Sequence, residues 1–149
     1  MTNAEPYILF ELAGTSYGIR SQLVQRMEMV EQITPVPNAP SYVDGIMFSR
    51  GRVVPALNLR LRFGIPRAPY DPKTRLIVVT YQERTVGLIV DAAREFIGIP
   101  ESAIQPLPDS LATTSGNYLS GIATINEKVI LLVEIGELLK DSTVAQTLA

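Results

Sequence analysis

Catalysis by side chains needs groups that move protons or form covalent bonds, and this sequence lacks most of them. It contains no histidine and no cysteine in 149 residues. That removes ordinary zinc sites, Ser-His and Cys-His nucleophile pairs and a phosphoaccepting histidine. Neither a GxxxxGKS/T phosphate loop nor a GxGxxG dinucleotide fingerprint occurs. Carboxylates, lysines and tyrosines remain. A pair of acids in a cleft would be the natural site, yet Asp44, Asp71, Asp91, Glu95 and Asp109 stand singly along the chain. The expectation is a protein without enzymatic activity, metal or cofactor.

The other reactive feature is positive charge. Arg50, Arg52, Arg60, Arg62, Arg67, Lys73 and Arg75 fall within 26 residues where Asp71 is the only acid, although the whole chain carries a net charge of −2. Such a run is either a cationic face for nucleic acid or an acidic protein, or the solvated side of a strand and the loop after it. Only Phe63 and Tyr70 interleave with it, a thin platform for stacking bases.

These residues must be positioned by the elements around them, and most segments read as strands. Hydrophobic content of 46% with 19% charged residues describes a folded chain. No apolar run reaches the length of a membrane helix, and Met1–Pro6 is polar, so the cytoplasm is the expected location. Tyr7–Ala13 turns through Gly14-Thr-Ser16 into Tyr17-Gly-Ile19, a hairpin signature. Val24–Ile33 continues as a strand with Met27, Met29 and Ile33 at alternate positions. Pro35, Pro37 and Pro40 exclude a helix from the next connection. Gly45–Phe48 and Val53–Leu59 flank a turn at 49–52, with Pro55 marking an edge or a bulge. A connector, Gly64–Pro72, holds three prolines. Beyond it come the hairpins Leu76–Tyr81/Val86–Val90 and Gly121–Ile125/Val129–Val133, with Glu95–Ile99 between them. Glu134–Lys140 reads as a short helix, because Ile135, Leu138 and Leu139 have helical spacing.

An internal repeat organises this list. Tyr42-Val-Asp-Gly45-Ile46 returns as Tyr118-Leu-Ser-Gly121-Ile122, 76 residues on. Without a gap, Arg52 then meets Lys128, Val53 meets Val129, Val54 meets Ile130, Leu57 meets Val133 and Leu59 meets Ile135. Tyr17-Gly-Ile19 matches Val86-Gly-Leu88. Arg50 falls opposite Asn126, so the hairpin does not need an arginine to fold. Each half holds about five short strands, the content of a small barrel. The expected architecture is all-β, two five-stranded barrel lobes at about 7–66 and 74–140, a short C-terminal helix, and a tail at 141–149. A groove between lobes is a natural binding site and suits the side of a partner's helix.

The sequence resembles the CheW family, adaptor proteins of bacterial chemotaxis. The likeness rests on Phe10-Glu-Leu12 with Tyr17-Gly-Ile19, Thr34-Pro-Val-Pro-Asn-Ala-Pro40, Tyr42-Val-Asp-Gly-Ile46 and Arg50-Gly51 with Val54-Pro55. It continues through Leu57-Asn-Leu-Arg60, Val86-Gly-Leu-Ile-Val-Asp91, Tyr118-Leu-Ser-Gly-Ile122 and Val133–Leu139. The resemblance implies two SH3-like barrels around a shared apolar core, in a non-enzymatic scaffold. Its implied partners are the cytoplasmic tip of a methyl-accepting chemoreceptor and the regulatory domain of a CheA-type histidine kinase. No nucleic acid partner and no membrane insertion are implied. Carried over by position, the receptor groove includes Val24, Arg26, Met27, Arg50, Val90 and Ala93. The kinase-facing candidates are Tyr42, Gly45 and Phe48, whose structural alternative is a core tyrosine, a turn glycine and a buried phenylalanine. Family members usually carry an acid where Arg26 stands, which implies a more acidic partner if that position meets the receptor. An adaptor of a non-flagellar pathway, or a small-barrel nucleic-acid module, are the alternatives.

Overall fold

In a computed structural model, which describes residues 4–109 and 118–140, alternating apolar stretches pair into two antiparallel-rich sheets. The strands are β1 Ala4–Leu12, β2 Thr15–Arg20, β3 Val24–Met29, β4 Ile33–Thr34, β5 Val43–Ser49 and β6 Arg52–Asn58. After the short helix α1, Leu59–Arg62, come β7 Arg75–Tyr81, β8 Arg84–Val90, β9 Ala92–Pro100, β10 Ile104–Gln105, β11 Leu119–Ile125, β12 Lys128–Val133 and the helix α2, Ile135–Leu138. The sheet orders are β10-β11-β12-β2-β1-β9 and β3-β7-β8-β6-β5-β4. Each has five long strands, as expected of a five-stranded lobe, plus a two-residue strand at one edge. The tail at 141–149 lies outside the described residues.

The sheets do not follow the halves of the chain. β1 and β2 join β9–β12, while β7 and β8 join β3–β6, so each half contributes its opening hairpin to the other half's sheet. The exchange is made by two parallel pairings in matching register: Leu132 opposes Gly18, and Ala56 opposes Gly87. A boundary between 66 and 74 therefore divides the sequence but cuts through hydrogen-bonded sheets.

The repeat extends to irregular detail. The β5–β6 ladder slips between Val43 and Gly45, and β11–β12 slips between Leu119 and Gly121. Asn58 N–H donates to the Tyr42 carbonyl at 2.7 Å, and Glu134 N–H donates to that of Tyr118 at 2.7 Å. Helix α1, which the sequence reading missed by extending a strand through Leu59, is the counterpart of α2; the Asn58 side chain caps it by accepting from Leu61 N–H. Val24–Ile33 is broken by Val30–Gln32 rather than continuous. Pro55 lies not at an edge but in a strand with neighbours on both sides, paired with Ile46 of β5 and just before the β6–β8 pairing begins at Ala56.

Alternation sorts the buried side chains into three clusters. Tyr7, Leu9, Ile99, Ala123, Ile130 and Leu132 fill the first sheet's lobe. Met47, Val54, Ala56, Leu76, Val78 and Ile89 fill the second. The opposite faces meet in a larger central core that includes Ile8, Phe10, Leu12, Ile77, Val79 and Val90. Phe10, Tyr17, Phe63 and Tyr118 form an aromatic row through it, with successive centroids 5.5, 5.5 and 5.6 Å apart. Arg62 closes the centre. Its guanidinium carbon is 4.4 Å from the Tyr42 ring centroid and 4.8 Å from that of Tyr118, and its Nη2 donates to the Leu138 carbonyl at 2.9 Å.

A second arginine ties the lobes at the chain crossing. Arg60 donates to both Asp91 oxygens at 2.8 and 2.6 Å, and Asp91 also accepts from Ala13 N–H at 2.8 Å. Asp91 is the residue between β8 and β9, where the chain passes from one sheet to the other. The hydrogen bonds from Arg60 hold its carboxyl below the usual aspartate range. A depressed acid contributes stability above its unfolded pKa and loses it as pH falls through the folded one. Asp91→Asn should therefore lower the unfolding midpoint at pH 7 and shrink the difference in stability between pH 7 and pH 3; an unchanged acid profile would exclude the ion pair from the fold's stability.

Gly45 is the tightest backbone point. Its φ is +146°, and a Cβ placed there would lie 2.2 Å from the Thr34 carbonyl oxygen, against 2.9 Å from the Gln105 oxygen at Gly121. Gly45→Ala is expected to cost more than about 3 kcal/mol in denaturant titration, and more than Gly121→Ala. Equal costs would mean that the two bulges are equally strained.

Candidate functional site

Among the described residues the acids do not assemble into a reaction centre. Asp44 accepts from Arg67 Nη2 at 2.8 Å, from Asn58 Nδ2 at 3.0 Å and from the Tyr70 hydroxyl. Burial pushes Asp44 up, but these three donors outweigh it and keep the carboxyl below its ordinary range. Asp71 caps its own turn by accepting from Lys73 N–H at 2.7 Å. Asp91 is held by Arg60, and the Glu95 side chain is outside the described set. Among the described residues no cluster of three acid, histidine or cysteine side chains could hold a metal, and no helix is long and apolar enough to cross a membrane.

The basic run is not one face. Arg60, Arg62 and Arg67 are engaged as above, and Arg75 Nη1 donates to the Pro72 and Thr74 carbonyls at 2.8 and 2.9 Å. Arg67 and Tyr70 use their polar groups to fasten the proline-rich connector to Asp44. Arg50, Arg52 and Lys73 are left exposed. Four of the seven are thus engaged in intramolecular bonds, two of them, Arg60 and Arg62, across the halves, so the run is not a continuous track for a nucleic-acid strand.

What the fold does present is apolar. Directly opposed residues of an antiparallel pair share a sheet face. Val24 opposes Val79 and Met27 opposes Ile77, both central-core residues, so Val24 and Met27 lie on the second sheet's inter-lobe face. Met29, opposite Arg75, continues that row. On the other sheet Ala93 opposes Phe10 and Phe96 opposes Ile8, again central-core positions. Val24 and Ala93 pack half-buried against the core, while Met27, Met29 and Phe96 are 40%, 59% and 62% exposed. The two sheets thus carry apolar walls on faces turned toward each other.

Two groove candidates sit elsewhere. Val90 is 1% exposed, within the core, and reaches the surface only through what it supports. Arg26 faces the other way, because a bulge between Val24 and Arg26 reverses the parity of β3. It opposes Val78 on the lobe-interior face, with Nε 2.7 Å from Glu28 Oε2 and Nη2 2.6 Å from Ser49 Oγ. Burial pushes Glu28 up, but the Ser49 and Arg26 hydrogen bonds hold it below the ordinary glutamate range. The unusual arginine is therefore neutralised within the lobe, and it leaves the charge of the inter-lobe face unchanged.

The β5–β6 hairpin carries the remaining candidates. Arg50 and Gly51 have φ of +50° and +80°, a two-residue turn of the primed kind. The corresponding first positions of the other tight hairpins are Ala13, Gln82 and Asn126, at φ of +51°, +49° and +51°. The turn accepts four different residues, so its geometry does not call for arginine. Arg50 is exposed, and its charge helps to lower Glu28 on the neighbouring strand. Phe48 is 71% exposed rather than buried, because Met47 and Ser49 take the inward positions on either side. Val53, its cross-strand partner, is also exposed. The repeat puts Thr124 and Val129 at the matching places, so the aromatic belongs to one hairpin alone. Tyr42 takes part in the Arg62 clamp, and Gly45 in the bulge.

Sequence reasoning missed Met29, Phe96 and Val53 as surface residues. Their types predict burial, and only the pairing register shows that they sit at rims. It also missed that Arg60 and Asp91, both inside recognised motifs, are partners.

Comparison with known proteins shows the family. Residues 6–143 match the family model described as a CheW-like domain. A chemotaxis protein CheW from Klebsiella aerogenes is 31% identical over 97% of this chain and 87% of its own length. One from Helicobacter pylori is 32% identical over 90% of this chain and 81% of its own. The crystal structure of the scaffolding protein TtCheW from Thermoanaerobacter tengcongensis superposes with a TM-score of 0.85 at 32% identity, covering 94% of both chains. With a family model spanning nearly the whole chain, the protein belongs to the CheW-like family.

Proposed function

We propose that this protein is a non-enzymatic cytoplasmic adaptor of chemotaxis signalling that joins a chemoreceptor tip to the regulatory domain of a CheA-type kinase. The observation that carries this reading is the pair of apolar walls on the facing sides of the two sheets. Val24, Met27 and Met29 stand on one, and Ala93 and Phe96 on the other. An apolar trough takes the side of an amphipathic helix, which is the form a helical receptor tip offers. The exposed Phe48–Val53 pair on the β5–β6 hairpin is a second apolar surface, flanked by Arg50 and Arg52. It suits a kinase domain surface with an apolar centre and an acidic rim.

Holding kinase and receptor on one rigid body raises the effective concentration of each for the other, and a shift in receptor packing is passed on as a change in geometry. Arg50 follows Ser49, which hydrogen-bonds Arg26 and Glu28 on either side of Met27, so the hairpin tip adjoins the receptor wall, and its turn does not call for an arginine. Arg50→Glu should weaken receptor-tip binding in a pull-down by about tenfold while the melting temperature stays within about 2 °C. Unchanged binding, or a large loss of stability, would remove Arg50 from the contact.

A further inference from the structure

The described residues include three methionines in two contrasting environments. Met47 is 2% exposed inside the second lobe, whereas Met27 and Met29 alternate along one face of β3 and are both solvent-accessible. Two positions apart on a strand, their side chains leave the same side of the sheet. The chain contains no cysteine and no tryptophan, so no thiol or indole competes as a faster target for an oxidant. Among the described residues, the most oxidisable accessible groups therefore sit together on the inter-lobe face of the second sheet.

We propose that the Met27–Met29 pair is an oxidation-sensitive switch on the docking trough, an inference that rests on the docking reading above. In the step itself a thioether sulfur attacks one oxygen of a peroxide. The O–O bond breaks, an S–O bond forms, and the departing hydroxide takes up the remaining proton as water. Sulfur is oxidised by two electrons and the peroxide is reduced by two. The product replaces a flexible apolar group by a strongly polar acceptor. Against an apolar helix, that acceptor is buried without a donor or the trough stays wet, and either outcome opposes docking. The fold itself is spared, because neither side chain belongs to a core cluster. Sulfoxide reductases of the two epimer specificities would reverse the change.

The test treats the intact protein with hydrogen peroxide, maps methionine sulfoxide by peptide mass spectrometry, and measures binding to a purified chemoreceptor-tip fragment. Oxidation at Met27 and Met29 with Met47 spared, an unchanged melting temperature, and binding weakened by about tenfold or more are expected. Binding should return on treatment with both reductases, and a Met27→Leu/Met29→Leu double variant, measured against its own untreated affinity, should show no change on peroxide treatment. Full affinity after complete sulfoxide formation, or equal peroxide sensitivity in the leucine variant, overturns the switch. Absence of binding before any oxidation refutes the docking reading on which the switch depends, and the switch with it.

Discussion

The guanidinium of Arg62 lies between two tyrosine rings that are the same residue of two repeats. Tyr42 immediately precedes β5 and Tyr118 immediately precedes β11, each just before the glycine bulge of its half. Arg62 comes from the helix that follows β6, and its Nη2 reaches the Leu138 carbonyl in the corresponding helix of the other half. One side chain thus meets the matching landmarks of both repeats. Each such stacked contact contributes about 0.5–2 kcal/mol when partly desolvated. Its larger effect is positional, because the two Tyr-x-x-Gly segments set the register of the outer hairpins. The Arg60–Asp91 pair performs the same service where the chain crosses between sheets.

This arrangement explains why the arginine-rich stretch exists. A duplicated chain whose halves exchange hairpins has to fix the exchanged pieces to each other. Arginine is suited to that task, since a planar fork can address a carboxylate, a carbonyl and a ring face. Arg60, Arg62 and Arg67 each hold a different joint. Part of the charge that reads as a surface in the sequence is therefore bracing. What is left outside is a cationic hairpin tip and apolar rims, the equipment of a protein that meets other proteins.

Much of the fold was legible in the sequence because the repeat carries its own register. The 76-residue offset predicts that Leu59 corresponds to Ile135, and in the structure both begin the short helices. That correspondence could have disclosed α1, which the strand pattern around Leu57-Asn-Leu-Arg60 concealed. The exchange of hairpins was not legible. A Tyr17-Gly-Ile19 motif says that a strand ends in the core, but not which half's last strand lies parallel to it. The candidate site was read in part. Val24, Met27 and Ala93 fall on the inter-lobe faces, whereas Arg26 is turned inward by a bulge that no local pattern announces. Phe48 was the reverse case, an aromatic whose type suggests the core and whose strand parity puts it outside.

The central claim is that one rigid double lobe offers two separate surfaces at once. It is tested most directly by light scattering on a chromatographed mixture of this protein, a receptor-tip fragment and a CheA-type regulatory domain. The account predicts a ternary species in which saturation with one partner leaves the affinity for the other intact. Mutual displacement, with only binary complexes at every ratio, would contradict it.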